Sequence, residues 1–341
     1  MFPYLIYTLV LILLYRKAKG SKWYRLIMFL VTIFFIGFRK DVGTDYENYT
    51  DYFNSYADFF EIGYSALALF IKTHGYDVTY LFFIMAALSY GIIYFAVEFN
   101  DDIEKGTTSL LICLLTITFS VNGIRQFLAA ALFMLAYCFI KKRNLILFLV
   151  CIGAGVLFHK SILILTPFYF LGNRYLPSKY YIVIYLVSFI LTTMSLEEIM
   201  KPFAEFLSEN EEKYYKYIRD DYNTGYFSLG VFVELLNYII LLFVSIKLDL
   251  YKKFPLIFNL FFTMCVVYNL RIASPIFNRI QVYFIMFTYY LLPLAIKRLN
   301  NRTSQILTIY YVVSLGSMAI KYIFFTPNSR MAIYHDVFGI F

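Results

Sequence analysis

Charge is what this chain has least of. Asp, Glu, Lys and Arg make up 15% of its 341 residues, against roughly a quarter in soluble globular proteins. With 61% of residues hydrophobic, so little charge cannot keep a folded surface in water, which excludes an ordinary soluble domain. Cysteine is scarce as well. Cys113, Cys138, Cys151 and Cys265 lie singly in apolar runs without CxxC spacing, which excludes a disulfide framework and a thiolate metal site. His74, His159 and His335 lack zinc-ligand spacing, so no metal is expected. There is no glycine-rich nucleotide loop and no soluble catalytic segment, so no cofactor is expected. Basic residues ahead of an apolar core, the mark of a secretory signal, are also missing. Arg16, Lys17, Lys19, Lys22 and Arg25 follow the first apolar run, which reads as a retained span with its start outside.

What is present is apolar and aromatic, with 38 Phe and 34 Tyr, the composition of a lipid-facing surface with interfacial belts. The net charge of +8 has no basic, aromatic-interleaved face to carry it, so nucleic acid is not an expected partner and membrane lipid is. Apolar runs fall near 2–15, 23–38, 78–97, 107–121, 124–140, 144–158, 161–172, 180–196, 227–246, 254–270, 280–296 and 303–325. Several are shorter than the roughly 20 residues of a perpendicular span. The pairs 107–121/124–140 and 144–158/161–172 are open to reading as tilted hairpins, broken helices or re-entrant segments. The expectation is an all-α polytopic bundle of 10–12 spans, with about twelve as the central value, forming one transmembrane domain over 1–341. Counting twelve places more than half of the 30 Lys and Arg in short connections on one side, as the positive-inside rule requires. Both termini and two longer segments, 39–77 and 197–226, then lie outside. Each of these segments is expected to be partly helical, the first with an apolar stripe of Ile62, Leu67, Leu69 and Phe70 along the membrane surface.

Ionisable groups near membrane depth raise a functional hypothesis by default. Here they collect at the outer ends of the runs, as Arg39, Asp45, Glu61, Arg125, His159, Lys160, Arg271 and Arg279, and only Glu234 lies well inside one. In Arg39-Lys40-Asp41-Val42-Gly43-Thr44-Asp45-Tyr46, Gly43 permits a tight turn and Thr44 and Asp45 offer capping oxygens. An interfacial anchor is the bland reading of Arg39 and an anion-binding arginine beside a carboxylate base is the functional one. Asn122-Gly123-Ile124-Arg125-Gln126 puts a charge and an amide at a helix start behind a glycine, which suits a phosphate as well as an ordinary turn. Phe158-His159-Lys160-Ser161 pairs an imidazole with a lysine in a short external turn. Arg271 and Asn278-Arg279 flank a turn broken by Pro275, and the planar guanidinium fork suits diphosphate oxygens. Arg125, His159, Arg271 and Arg279 come from four helix ends that bundling could bring to one outward-facing cavity, and the four arginines Arg39, Arg125, Arg271 and Arg279 point to an anion arriving through the membrane, such as a lipid diphosphate.

These residues resemble the EpsG-type branch of the Wzy-like polysaccharide polymerases. The features that carry the resemblance are Arg39-x3-Gly43-Thr44-Asp45-Tyr46-x2-Tyr49, Glu61-x-Gly63-Tyr64, Arg125-Gln126, His159-Lys160-Ser161 and Asn278-Arg279. The family's Glu-Pro-Gly-Tyr pattern stands here as Glu-Ile-Gly-Tyr, a change bearing on local stiffness. The resemblance implies a multi-pass glycosyltransferase likened to the GT-C superfamily, in the bacterial cytoplasmic membrane with its active site facing outside. It would transfer a growing exopolysaccharide, O-antigen or capsule glycan from undecaprenyl diphosphate to another lipid-linked repeat. A flippase and a chain-length regulator are its candidate partner proteins.

Within that reading Asp45, Glu61 and His159 compete as the base that takes the acceptor proton. Arg125, Arg271 and Arg279, with Arg39, Gln126, Lys160 and Asn278, are candidates for holding the diphosphate. Tyr46, Tyr49 and Tyr64 are candidates for stacking on sugar rings. Two other classes stand beside this one. A flippase of lipid-linked oligosaccharide would want charges at mid-depth and an internal repeat, whereas the polar groups here collect on one face and no repeat is visible. A membrane O-acyltransferase would want a catalytic histidine facing a cytoplasmic acyl donor, and His159 falls on the opposite side.

Overall fold

The computed structural model describes residues 2–55, 60–192, 229–271, 274, 276–325, 330–331 and 334–338. The expected external segment 197–226 therefore lies outside the described residues. The helices, in chain order, are α1 (Phe2–Ala18), α2 (Lys22–Gly37), α3 (Tyr46–Ser55), α4 (Ile62–Thr73), α5 (Val78–Phe99), α6 (Lys105–Leu115), α7 (Ile117–Asn122), α8 (Ile124–Lys141) and α9 (Leu145–Val156). A 3-10 turn at Lys160–Leu165 leads to α10 (Phe168–Leu171) and α11 (Ser178–Leu191). Then follow α12 (Leu229–Lys247), α13 (Leu250–Lys253), α14 (Pro255–Leu270), α15 (Ile276–Ile296) and α16 (Asn301–Ile320), which runs into a π-helical turn at Lys321–Phe325. Two short strands, β1 (Arg39–Lys40) and β2 (His335–Asp336), pair antiparallel with Arg39 opposite Asp336.

The described residues are all-α apart from that strand pair, as composition predicts. The described part of each expected apolar run falls mainly on helix, but five helices among the described residues are long and apolar enough to cross a membrane by themselves: Val78–Phe99, Ile124–Lys141, Leu229–Lys247, Ile276–Ile296 and Asn301–Phe324. That is fewer than twelve because several helices stop short, α1 at 17 residues and α2 and α14 at 16 each, and two runs are broken. The run 107–121 divides into α6 and α7 at Thr116, and 161–172 winds first as a 3-10 turn and then as α10. The faces follow helical periodicity. On α1, Tyr4, Tyr7, Leu11 and Ala18 are buried, while Phe2, Leu5, Leu9 and Ile12 between them are exposed, a division that suits packing on one side and lipid on the other. Where apolar contact gives no drive between helices in lipid, polar pairs supply it. The Tyr7 hydroxyl lies 2.8 Å from Thr32 Oγ1 and donates to the Cys113 carbonyl at 2.7 Å, tying α1, α2 and α6.

The chain forms two compact units, residues 1–163 with 315–341, and residues 164–314. In the first, the opposite ends of the helices carry different chemistry. At one end Arg25 holds Glu98 through both carboxylate oxygens, Lys105 donates to the Glu98 carbonyl at 2.6 Å, and Lys141 pairs with Asp102 at 2.6 Å. At the other end stand Arg39, Arg125, His159 and Glu61. The segment after α2 is pinned there by the end of the chain: Val337 N donates to the Phe38 carbonyl at 3.0 Å, Arg330 pairs with Glu47 at 2.5 Å, and Tyr334 stacks on Phe35 with centroids 4.4 Å apart.

In the second unit α15 is buried along almost its whole length, from Ile276 to Ala295. Along α16 the exposed Ile306, Ile309, Val312 and Val313 contrast with buried Leu307, Tyr311 and Ser314. Asn237 on α12 fastens it, accepting from Tyr311 through its carbonyl at 2.6 Å and from Ser314 through its side-chain oxygen at 2.7 Å.

Candidate active site

Glycine decides how the site end of the first unit closes. At Gly63, in the first turn of α4, an added Cβ would lie 2.7 Å from the Leu157 carbonyl oxygen and 2.8 Å from the Leu157 Cβ. The Gly63 N–H instead donates to that carbonyl at 2.8 Å, seating α4 on the turn after α9. Gly63→Ala is expected to destabilise the protein by roughly 1–3 kcal/mol, the scale of overpacking. Gly153→Ala, on α9 with nothing within 4 Å, should leave the thermal midpoint in detergent unchanged or raised. Equal effects of the two changes would contradict the close approach.

That seating brings Glu61, the residue before α4, to its partners. Its backbone is extended (φ −60°, ψ 148°) and its side chain makes no bond to its own helix. The carboxylate instead accepts from Arg125, from His159 Nδ1 at 3.0 Å and from the Lys160 N–H at 3.2 Å. Arg125 comes from the first turn of α8, which starts afresh after the break at Gly123, and His159 from the turn that ends α9. The Arg125 guanidinium lies 3.8 Å over the Phe60 ring, a cation–π contact strengthened by exclusion of water. Side-chain exposure is 12% for Arg125 and 10% for both Glu61 and His159. Burial alone would raise the Glu61 carboxyl. The His159 hydrogen bond and the Arg125 charge outweigh it and bring the group down to about 2. Glu61 is therefore a fixed anion at neutral pH.

Arg39 is placed differently. It is 1% exposed, and all three of its nitrogens donate to carbonyls: Nε to Val42 at 3.3 Å, Nη1 to Ile36 at 2.9 Å and Nη2 to Val121 at 3.1 Å. Its guanidinium also faces the Phe82 ring at 4.5 Å. Burial lowers it to about 10, so it stays charged. Two of its hydrogen bonds meet orphan carbonyls where α2 and α7 end, a structural use of the guanidinium. Arg39→Lys supplies a single donor centre and should cost at least about 2 kcal/mol, the scale of one or two hydrogen bonds to a charged group. The midpoint of thermal unfolding in detergent reads that loss. Folded Arg39→Lys protein should bind undecaprenyl diphosphate as the parent does, and a selective loss of binding would return Arg39 to the ligand.

The Gly43–Asp45 turn docks on the other side of the same break. Gly43 has φ +102°, and a Cβ there would lie 2.8 Å from Asn122 Oδ1. That oxygen accepts from the Thr44 N–H at 2.7 Å and from the Thr44 hydroxyl at 3.1 Å, so Thr44 reads Asn122 rather than capping its own helix. Asp45 is half-buried, with its carbonyl accepting from Tyr49 N at 3.1 Å. The three tyrosines weighed for sugar stacking are buried. Tyr46 lies against Phe82, and Tyr49 packs with Phe60 and Tyr64. Their rings meet those neighbours in tilted contacts, within the aromatic cluster that borders Arg125 and Arg39. On α4, Ile62, Leu69 and Phe70 are exposed and Leu67 is half-buried.

Of the candidate residues, Glu61, Arg125, His159 and Lys160 come together, with Gln126 beside them in the first turn of α8. Arg271, Asn278 and Arg279 belong to the second unit, the last two in the first turn of α15. Phe60 and Asn122 were visible in the sequence beside Glu61 and Arg125 but carried no signal of their own. Glu234 stood out as a charge in an apolar run. It binds Arg271 at 3.2 Å and the Tyr268 hydroxyl at 2.6 Å, which puts it at the Arg271 end of α14 and removes the exception it made. Among the described residues no His, Cys, Asp and Glu group could hold a metal ion.

A fold that is helical over nearly all of the described residues, with several membrane-spanning candidates and a mostly buried carboxylate–arginine–histidine cluster at its helix ends, defines a multi-pass membrane protein with a polar centre at one end of a helical unit. The model of the EpsG family matches residues 22–335, and the chain belongs to that family, one of Wzy-like polysaccharide polymerases. No curated protein and no solved structure matches it.

Proposed function

We propose that this protein polymerises glycan repeats at the outer face of the bacterial cytoplasmic membrane. The growing chain passes from undecaprenyl diphosphate to the terminal hydroxyl of another lipid-linked repeat that a flippase has delivered, and a chain-length regulator sets when it stops. Family membership supports the polymerase class. The single observation that carries the chemistry is the Glu61 carboxylate bound at once by Arg125 and by His159 Nδ1. The position of this cluster, at the helix ends opposite the Arg25, Lys105 and Lys141 pairs, supports an outward face under the positive-inside rule, and the same parity supports a twelve-span reading.

A carboxylate that accepts from Nδ1 fixes the tautomer of the imidazole and leaves Nε2 with the lone pair. A group held near 2 is too weak a base to take a hydroxyl proton itself. The proton therefore goes to His159, and Glu61 orients the ring and stabilises the imidazolium. As the acceptor oxygen bonds to the anomeric carbon, its proton passes to Nε2. The bond from that carbon to the diphosphate oxygen breaks, and its electron pair leaves with the lipid diphosphate. This is a single displacement with inversion. Arg125 and Lys160 supply the positive charge that the leaving group needs. Asp45 takes no part in this step.

The test supplies purified protein in detergent with undecaprenyl-diphosphate-linked repeats. A ladder of lengthened glycans is expected. Absence of a ladder, together with transbilayer movement of the same lipid in vesicles, would replace this reading with a transporter.

A further inference from the structure

The helix that carries Arg125 starts without a side-chain cap of its own. Its first turn follows Gly123, which has no side chain to meet the open N–H groups. Ahead of it α7 is six residues long, broken from α6 at Thr116 and from α8 at Gly123. A helix that short is not stable by itself, so contacts from elsewhere in the fold must set its place. At its start the Tyr90 hydroxyl lies 2.9 Å from Thr116 Oγ1, and at its end Arg39 takes the Val121 carbonyl.

Asn122, the last residue of α7, supplies the other ties. Its Oδ1 accepts from the Thr44 N–H at 2.7 Å and from the Thr44 hydroxyl at 3.1 Å. Its Nδ2 donates to the Thr118 carbonyl at 2.9 Å, within α7, and to the Tyr322 hydroxyl at 3.3 Å. That uses both acceptor sites and both N–H groups of the carboxamide. A half-buried amide could meet these needs with water, and this one meets them with protein. Its partners Thr44 and Tyr322 lie 78 and 200 residues away. Tyr322 stands in the π-helical turn Lys321–Phe325, a rare geometry that is frequent at functional sites. The segment beyond it binds the Gly43 turn a second time. There the Arg330 carbonyl accepts from the Gly43 N–H at 3.5 Å, and the Arg330 guanidinium pairs with Glu47 at 2.5 Å.

We infer that Asn122 is a positioning residue for the reacting centre: held by Thr44 and Tyr322, it sets where α8 begins and so delivers the Arg125 guanidinium to Glu61. Arg125 stands three residues beyond Asn122, and the carboxylate it meets belongs to another segment. A misplacement of about 1 Å far from the chemistry can cost on the order of a hundredfold in rate. That Arg125 serves glycan transfer rests on the proposed polymerase reading; that Asn122 places Arg125 rests on the geometry.

The experiment uses purified full-length protein in detergent and reads two quantities. The first is the titration of Glu61, followed by the infrared carboxyl band that appears on acidification and is missing in Glu61→Gln. Burial raises this carboxyl, and the His159 hydrogen bond and the Arg125 charge bring it down. Displacing Arg125 in Asn122→Ala should therefore lift the titration by at least about one pH unit. A residue that only ties helices together would leave it in place. Tyr322→Phe and Thr44→Val each remove one tie and should give smaller shifts in the same direction, and Thr44→Ser should restore the parental titration. The second quantity is elongation of undecaprenyl-diphosphate-linked repeats. Asn122→Ala should be slower by roughly tenfold to a hundredfold, with the loss in kcat and KM within about threefold of the parent. A titration unmoved in Asn122→Ala, or in both Tyr322→Phe and Thr44→Val should the alanine variant fail to fold, would overturn the assignment. Parental elongation by folded Asn122→Ala would overturn it as well. A shifted titration in a protein whose parent makes no ladder would instead overturn the polymerase reading and leave Asn122 as the residue that places Arg125.

Discussion

Arg125→Ala is expected to abolish elongation and, separately, to destabilise the folded chain by about 3–5 kcal/mol, the range for removing one partner of a buried ion pair. Glu61 is 10% exposed, and without Arg125 its charge would rest on His159 and one backbone N–H. The double variant Arg125→Ala/Glu61→Gln removes that stranded charge and should recover most of the stability but none of the activity. Recovery of both would reduce Arg125 to a structural counter-ion. The pH dependence follows the same logic. The Glu61 pKa is depressed in the folded state, so its contribution is present above the ordinary carboxylate value of about 4.5 and is lost as pH falls toward about 2. In Arg125→Ala the loss should begin at higher pH. Thermal midpoints of the three proteins between pH 3 and 7 read both effects.

His159→Gln carries the second large expectation. Glutamine can still donate an N–H to Glu61, so the cluster should remain closed and lipid binding should survive. It cannot take a proton, and elongation should fall by about 10²–10⁴, the usual worth of general-base catalysis. The rate of the parent should climb with pH along a limb that disappears in the variant. A variant that elongates at the parental rate with the same limb would transfer the base to another group, Asp45 first.

Much of this site is legible in the amino-acid sequence, because its chemistry is carried by residue types that a membrane chain rarely tolerates. Glu61, Arg125 and His159 stand out as charged or titratable groups at the ends of apolar runs. What the sequence could not supply is their joining, since the partners of Glu61 lie 64 and 98 residues away. The two glycines that close the site were visible, but their reason was not: Gly63 fits against Leu157, and Gly43 against Asn122. Arg39 looked like its neighbours on the same face. Only the carbonyls of Ile36, Val42 and Val121 around it reveal a side chain already satisfied by the backbone. Tyr46, Tyr49 and Tyr64 were ambiguous for a related reason, since an interfacial tyrosine packs or stacks equally well until its ring neighbours are known. The span count suffered from helices that stop short, such as α2 and α14 at 16 residues each, and from the breaks at Thr116 and around His159. Hydropathy does not show a break when the residues on both sides stay apolar.

The most direct test of the account is a count of undecaprenyl diphosphate released for each glycosidic linkage made, with the parent protein and His159→Gln side by side. The parent should release one lipid diphosphate per linkage as the ladder grows, and folded His159→Gln should show neither release nor ladder beyond a residual rate. A ladder without release, or equal release by both proteins, would contradict a transfer driven from the Glu61–Arg125–His159 centre.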